Sequence, residues 1–232
     1  MNKYIVYYCY LTTKYKQLID KQFQRLVDSG LYDEVVDIYV NICGEEELVK
    51  QQIEYFKQYD KVKIYSINSV ENTYEYQGLK CVYDIAETLN NDDIILYFHT
   101  KGISRNCSLD MELWRNVMEY ELIDNRDNIM KMFDYKTCGV MGVNLKTFPK
   151  FHFSGNFWWA KVWYLRNLVE PRKVIDDEYV SNGITGRHYY EFWISHFKDG
   201  FDGKMNMKGV ATYDVDYYHY NEFKFLNKKY FV

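Results

Sequence analysis

Proline and alanine are nearly missing from this 232-residue chain: Pro occurs twice, and Ala only at Ala86, Ala160 and Ala211. With abundant Tyr, Asn, Lys and Ile, this pattern fits an AT-rich coding sequence, so part of the 19% aromatic content follows from codon usage. Positive charge is not in excess. A net charge of −4 lacks the basic field that drives nucleic-acid binding, and no nucleic-acid partner is expected. The five cysteines (Cys9, Cys43, Cys81, Cys107, Cys138) are odd in number and scattered, without a C-x-x-C pair or metal-type spacing. They argue against a disulfide framework and for a reducing, cytoplasmic compartment. Long hydrophobic runs are absent too. Tyr4–Tyr10 is too short and too Tyr-rich to span a bilayer, and no small-residue cleavage site follows, so neither membrane insertion nor export is expected. Gly is missing from Tyr10-Leu11-Thr12-Thr13, which counts against the phosphate loop of a nucleotidyltransferase. Without internal repeats, low-complexity tracts or Gly/Ser linkers, residues 1–232 read as a single domain.

What is present is a globular composition, 47% hydrophobic and 27% charged, on a chain long enough for a sizeable core. Strand patterns at Tyr4–Tyr10, Glu34–Ile42, Lys61–Ile67 and Ile94–Phe98 alternate with helical spacing at Tyr15–Leu31, Glu45–Tyr59 and Tyr74–Leu89. Thr12-Thr13 offers a cap for the first helix. This alternation predicts an α/β domain with right-handed crossovers and a mostly parallel, Rossmann-like central sheet flanked by helices. Further on, Leu109–Phe133 reads as one helix and Cys138–Val143 as a fifth strand. Phe151–Trp159 reads as an aromatic strand, with short helices at Ala160–Leu168 and Tyr189–Phe197. Arg172–Arg187 reads as a charged loop, followed at the end of the chain by a Tyr-rich tail.

Two stretches carry chemistry. Ile94–Phe98 is an apolar run that ends abruptly in His99-Thr100-Lys101-Gly102. Ligands of open α/β sheets bind beyond the carboxyl ends of strands, where an imidazole, a hydroxyl and an ammonium suit an anionic, oxygen-rich ligand. A plain polar turn is the alternative. The second stretch is His152-Phe153-Ser154-Gly155-Asn156-Phe157-Trp158-Trp159. Gly155 lets a ligand approach the backbone, Ser154 and Asn156 offer hydrogen bonds, and Trp158 and Trp159 offer flat faces to a sugar. A core strand bulged at Gly155 is the alternative.

These motifs, with Trp114-Arg115 between them and Arg187 through Glu191-Phe192-Trp193 after them, resemble a glycosyltransferase-like group of bacteria and large DNA viruses. The similarity runs from about Gly30 to about His196. It implies a GT-A-type fold, in which 1–105 binds a nucleotide-sugar, UDP-linked by expectation, and 106–232 shapes the site for a glycan or glycoprotein acceptor. For a viral member the compartment would be the host cytoplasm. The resemblance places His99, Thr100, Lys101, Gly102 and Arg115 against the donor. It places His152, Ser154, Gly155, Asn156, Trp158 and Trp159 against sugar and acceptor.

One departure matters. Most such enzymes carry Asp-x-Asp after the fourth strand to hold Mg²⁺ or Mn²⁺ on the diphosphate. Here His99-Thr100-Lys101 stands instead, and Lys101 can neutralise a diphosphate as a point charge. Metal-independent binding is expected, with Mn²⁺ or Mg²⁺ left open and no metal ligand assigned. Asp214-Val215-Asp216, near His219, comes too late in the chain. Asp92-Asp93 reads as a solvated turn, and Asp176-Asp177-Glu178 as a solvated charge run rather than a metal site. For an inverting transfer, Glu191 is the candidate base and Asp177 the second choice. Glu191 could equally pair with Arg187, Arg115 with a neighbouring carboxylate, and His152 with the core. A carbohydrate-binding or inactive GT-A-like module is the alternative function.

Overall fold

The computed structural model describes residues 1–12, 14–68, 74–103, 109–174, 186 and 188–210. Strand β1 (Lys3–Tyr10) is buried on both faces, because its alternate residues feed two separate cores. Ile5, Tyr7 and Cys9 meet Ile19, Phe23 and Leu26 of α1 (Tyr15–Asp28). Val6 and Tyr8 face the opposite way, into a core shared with residues of a later helix. After a single turn, α2 (Leu31–Glu34), the chain runs through β2 (Val35–Cys43), α3 (Glu46–Phe56) and β3 (Val62–Asn68). That later helix is α4 (Tyr76–Ala86), which places Leu79 and Val82 on the second core and leads to β4 (Ile94–His99).

The second half supplies α5 (Leu109–Glu119), α6 (Asp127–Phe133), β5 (Val140–Val143), β6 (Leu145–Lys146), β7 (His152–Phe153) and β8 (Trp158–Lys161). It closes with α7 (Val162–Leu165), α8 (His188–Phe192) and β9 (Met207–Val210). Seven strands form one sheet in the order β3-β2-β1-β4-β8-β5-β9, and β6 pairs with β7 apart from it. Every pairing in the large sheet is parallel except those of β8, which runs against both β4 and β5. The expected mixed α/β sheet, mostly parallel and flanked by helices, is therefore present. From β1 the chain steps to β2 on one side and β4 on the other, so the strand order reverses between β1 and β4. The crevice at their carboxyl ends is the place such sheets keep for a ligand.

Several local expectations fail for identifiable reasons. The stretch 109–133 is not one helix: a π turn at Tyr120–Asp124 splits it, with Asn125 N–H bonding the Tyr120 carbonyl. There Trp159 Nε1 donates to the Leu122 carbonyl at 2.8 Å, so an acceptor serves the sheet rather than the helix. Phe151–Trp159 divides into β7 and β8 because Gly155 (φ +92°) and Asn156 (φ +58°) turn the chain through the left-handed region. Thr12 caps α1 through its backbone: its carbonyl accepts from Tyr15 N–H, and no side chain caps the helix. Asp93 is buried rather than solvated, its carboxylate taking the Asn2 and Asn90 backbone N–H groups at 2.7 and 3.1 Å. Met207–Val210, beyond the last expected helix, is the parallel edge strand β9. No helix among the described residues is long and apolar enough to cross a membrane.

Candidate functional site

The β4 strand ends with His99; His99 and Thr100 are buried, and Lys101 and Gly102 beyond them are half-buried. Thr100 bridges β4 and β1: its hydroxyl accepts from Tyr10 N–H at 3.0 Å and its N–H donates to the Tyr8 carbonyl. Gly102 takes φ +85°, which redirects the chain, and a Cβ there would lie 2.9 Å from the Met111 Cβ. Arg115, on α5, is buried and holds this turn from beneath, donating from Nη1 to the Lys101 carbonyl at 2.8 Å. Its Nε stands 3.6 Å from Glu119, which is also paired with Arg25 at 3.1 Å and takes a hydrogen bond from Gln22 at 2.6 Å. Arg115 is thus part of a buried polar network under the site.

Lys101 Nζ lies 3.3 Å from Glu191 Oε1, joining the turn after β4 to α8. Burial works to raise the Glu191 carboxyl, but the Lys101 ammonium, by charge and hydrogen bond, carries it below the ordinary carboxylate range. His152 adds to that pull. Its own Nδ1 donates to the Lys150 carbonyl at 2.8 Å and its ring packs edge-on against Phe192, while burial lowers its pKa.

The second motif contributes differently from its sequence reading. Trp158 and Trp159 are fully buried, so neither offers a face to a sugar. Trp158 packs beside Tyr97 and Trp193, with ring centroids 5.1 and 6.5 Å away. Gly155 is needed for packing, not ligand approach: a Cβ there would sit 2.5 Å from Met118 Sδ and 2.9 Å from Trp114 Nε1. Ser154 is half-buried, its N–H bonded to the Asn144 carbonyl. Asn156 is fully buried, and Trp158 Nε1 donates to its Oδ1 at 2.8 Å, which orients its amide. The Nδ2 group of Asn156 then reaches Glu75 at 2.6 Å.

Glu75 is the site residue that sequence reading missed. It precedes α4, where an acidic residue is ordinary helix-terminus chemistry, so nothing in the chain singled it out. The fold carries it to His99, 3.6 Å away, and gives it a second hydrogen bond from Tyr97 Oη at 3.0 Å. Burial raises its carboxyl to about 7; Lys101 opposes this rise and Glu191 adds to it. Burial, then Lys101, pushes the His99 imidazole well below its usual value, so His99 is neutral and its contact with Glu75 is not an ion pair. Asp177 and Arg187 lie outside the described residues.

The family model described as a domain of unknown function, DUF8361, matches residues 6–215. The chain belongs to the DUF8361 family. No curated protein matches the sequence. The matched span takes in Glu75, the β4 terminus, the Gly155-Asn156 turn and Glu191 together. A separate concavity of about 920 Å³, bordered by Glu121, Met132, Met141 and Met207, contains none of these residues.

The Glu75 shift has a thermodynamic consequence. Its folded pKa lies above the unfolded one, so the native state holds the extra proton. This contribution is fully present below about pH 4.3 and is lost as pH rises to about 7. His99, depressed by burial, acts in the opposite sense, so the variant comparison is the clean one. Relative to Glu75→Gln, wild-type stability should fall by roughly 3–4 kcal/mol between pH 4 and pH 8. Denaturant melts of both proteins across that range check it, and parallel pH curves would refute it.

Proposed function

We propose that this protein is a GT-A-type glycosyltransferase, moving a sugar from a UDP-sugar to a glycan or protein acceptor without the usual Asp-x-Asp motif after its fourth strand. The observation carrying this reading is the Lys101–Glu191 contact of 3.3 Å at the carboxyl end of β4. It brings together, from 90 residues apart, a cation suited to a diphosphate and a carboxylate suited to an acceptor hydroxyl. The two roles are coupled. A diphosphate that draws Lys101 away leaves Glu191 without its counter-charge, which raises its basicity when the acceptor must be deprotonated. The acceptor oxygen then bonds to the anomeric carbon, and the bond to the phosphate oxygen breaks. Its electron pair leaves with the nucleoside diphosphate, and the proton passes to Glu191. A parallel sheet interrupted by one reversed strand is compatible with the GT-A type. The burial of Trp158 and Trp159 counts against the reading in which that aromatic strand serves as a carbohydrate-binding platform.

A thermal-shift screen over nucleotide-sugars, with and without Mn²⁺, tests donor and metal dependence together, because a ligand of the native state raises its melting temperature. Lys101→Ala should weaken UDP-sugar affinity about 10–100-fold through loss of a charge-assisted contact. Its melting temperature should drop only slightly, since Glu191 keeps 26% side-chain exposure and can be solvated. Calorimetry that finds equal affinity in wild type and variant removes Lys101 from the donor site.

A further inference from the structure

Glu75 uses its two carboxylate oxygens unequally. Oε2 takes both hydrogen bonds, from Asn156 Nδ2 and Tyr97 Oη, and both donors are fully buried. Oε2 is therefore fixed from the protein side. Oε1 takes none among the described residues. His99 Nε2 stands 3.6 Å from it, but that nitrogen lies 3.1 Å from the Gly155 carbonyl, an acceptor to which it must donate. The Glu75 side chain keeps 15% of its exposure, beside Lys101 at 18% and Glu191 at 26%. The titratable and charged groups facing it are Tyr8 from β1, Tyr97 and His99 from β4, Lys101 beyond it, and Glu191 from α8.

We infer that Glu75 Oε1 accepts a hydrogen bond from a hydroxyl of the donor sugar and is a specificity-determining contact of the site. This rests on the glycosyl-transfer reading. The site already holds its cation in Lys101, so the group that suits Oε1 is a neutral donor rather than a second cation. In a nucleotide-sugar the sugar is joined directly to the terminal phosphate, so the groups that read them must be neighbours. The Lys101 ammonium is near enough to Glu75 to pull its carboxyl downward against the effect of burial. The Asn156 amide acquires a purpose on this view: buried itself, it aims the carboxylate that touches ligand.

The test is calorimetric titration of the full chain at pH 8, where the Glu75 carboxyl is mostly ionised, with UDP-glucose, UDP-galactose, UDP-N-acetylglucosamine and UDP. For whichever sugar binds most tightly, Glu75→Gln should weaken affinity about 10–100-fold, while UDP affinity stays within about twofold. Among monodeoxy analogues of that sugar, one should lose a similar factor on wild type yet bind Glu75→Gln as well as the parent does. Equal affinity of wild type and Glu75→Gln for the intact sugar overturns the contact and leaves the glycosyl-transfer reading standing. If no UDP-sugar binds wild type more tightly than UDP, the reading and the contact fall together. If Glu75→Gln does not fold, the deoxy series on wild type decides: uniform affinity across it overturns the inference.

Discussion

Glu191→Gln should lower sugar transfer by about 10²–10⁴-fold, the range that a positioned general base supplies. Donor affinity should hold or rise, because the substitution removes the charge that ties up Lys101 in the free protein. That opposite movement of turnover and binding is the diagnostic feature. A folding defect would depress both, and a melting curve separates the cases. The pH dependence offers a second check. Lys101 holds the Glu191 carboxyl below the ordinary range in the free protein, so the acidic limb of kcat/KM should lie low. In kcat, measured with donor bound, that limb should move upward as Lys101 turns to the diphosphate. Transfer at the wild-type rate by Glu191→Gln would show the assignment wrong and make Asp177 the next residue to replace. A product of retained anomeric configuration would also remove the need for this base.

Arg115→Leu should be the most destabilising change near the site, costing on the order of 3 kcal/mol. The substitution strips Glu119 of one of its two cations in a buried setting. Arg25 and Gln22 remain, which keeps the loss below that of an entirely unpaired charge. For a chain of this size the cost corresponds to a fall in melting temperature of roughly 6–12 °C. The Lys101 carbonyl loses its donor at the same time, so donor binding should weaken as the turn loosens. Replacing Glu119 together with Arg115 by apolar residues should recover much of the stability without restoring the turn. If Arg115 were instead a direct phosphate ligand on an otherwise self-sufficient helix, Arg115→Leu would lose affinity and keep its melting temperature.

The parallel part of the sheet was legible because β1 and β4 are apolar on both faces, β3 alternates, and the helices between keep a 3.6-residue period. Local chemistry also located the end of β4, where an apolar run stops at His99. Glu191 could be singled out because it is a lone carboxylate among aromatic residues. Other features depend on partners distant in the chain. The π turn answers to Trp159, 37 residues away from the carbonyl it bonds, and no local pattern records that demand. Gly155 and Asn156 looked like a ligand-facing bulge because Ser, Gly and Asn are rare inside aromatic runs. Left-handed backbone and close packing on Trp114 and Met118 account for the same residues. Glu75 was hidden for a different reason. Its environment comes from Tyr97 and Asn156, 22 and 81 residues away, and a glutamate at a helix start looks ordinary until those side chains are placed.

The reversed strand β8 limits how the protein can move. It comes from the second half of the chain and is hydrogen-bonded between β4 and β5, with Leu96 opposite Trp159 and Met141 opposite Trp159 on its other edge. A single ladder therefore crosses the junction of the two halves, and opening it like a clam shell would break that ladder and expose both tryptophans. Hinge bending, the usual route by which two-lobed enzymes enclose a substrate, is closed to this sheet. His99 at the end of β4 and Trp158 at the start of β8 therefore belong to one continuous hydrogen-bonded sheet, not to two lobes.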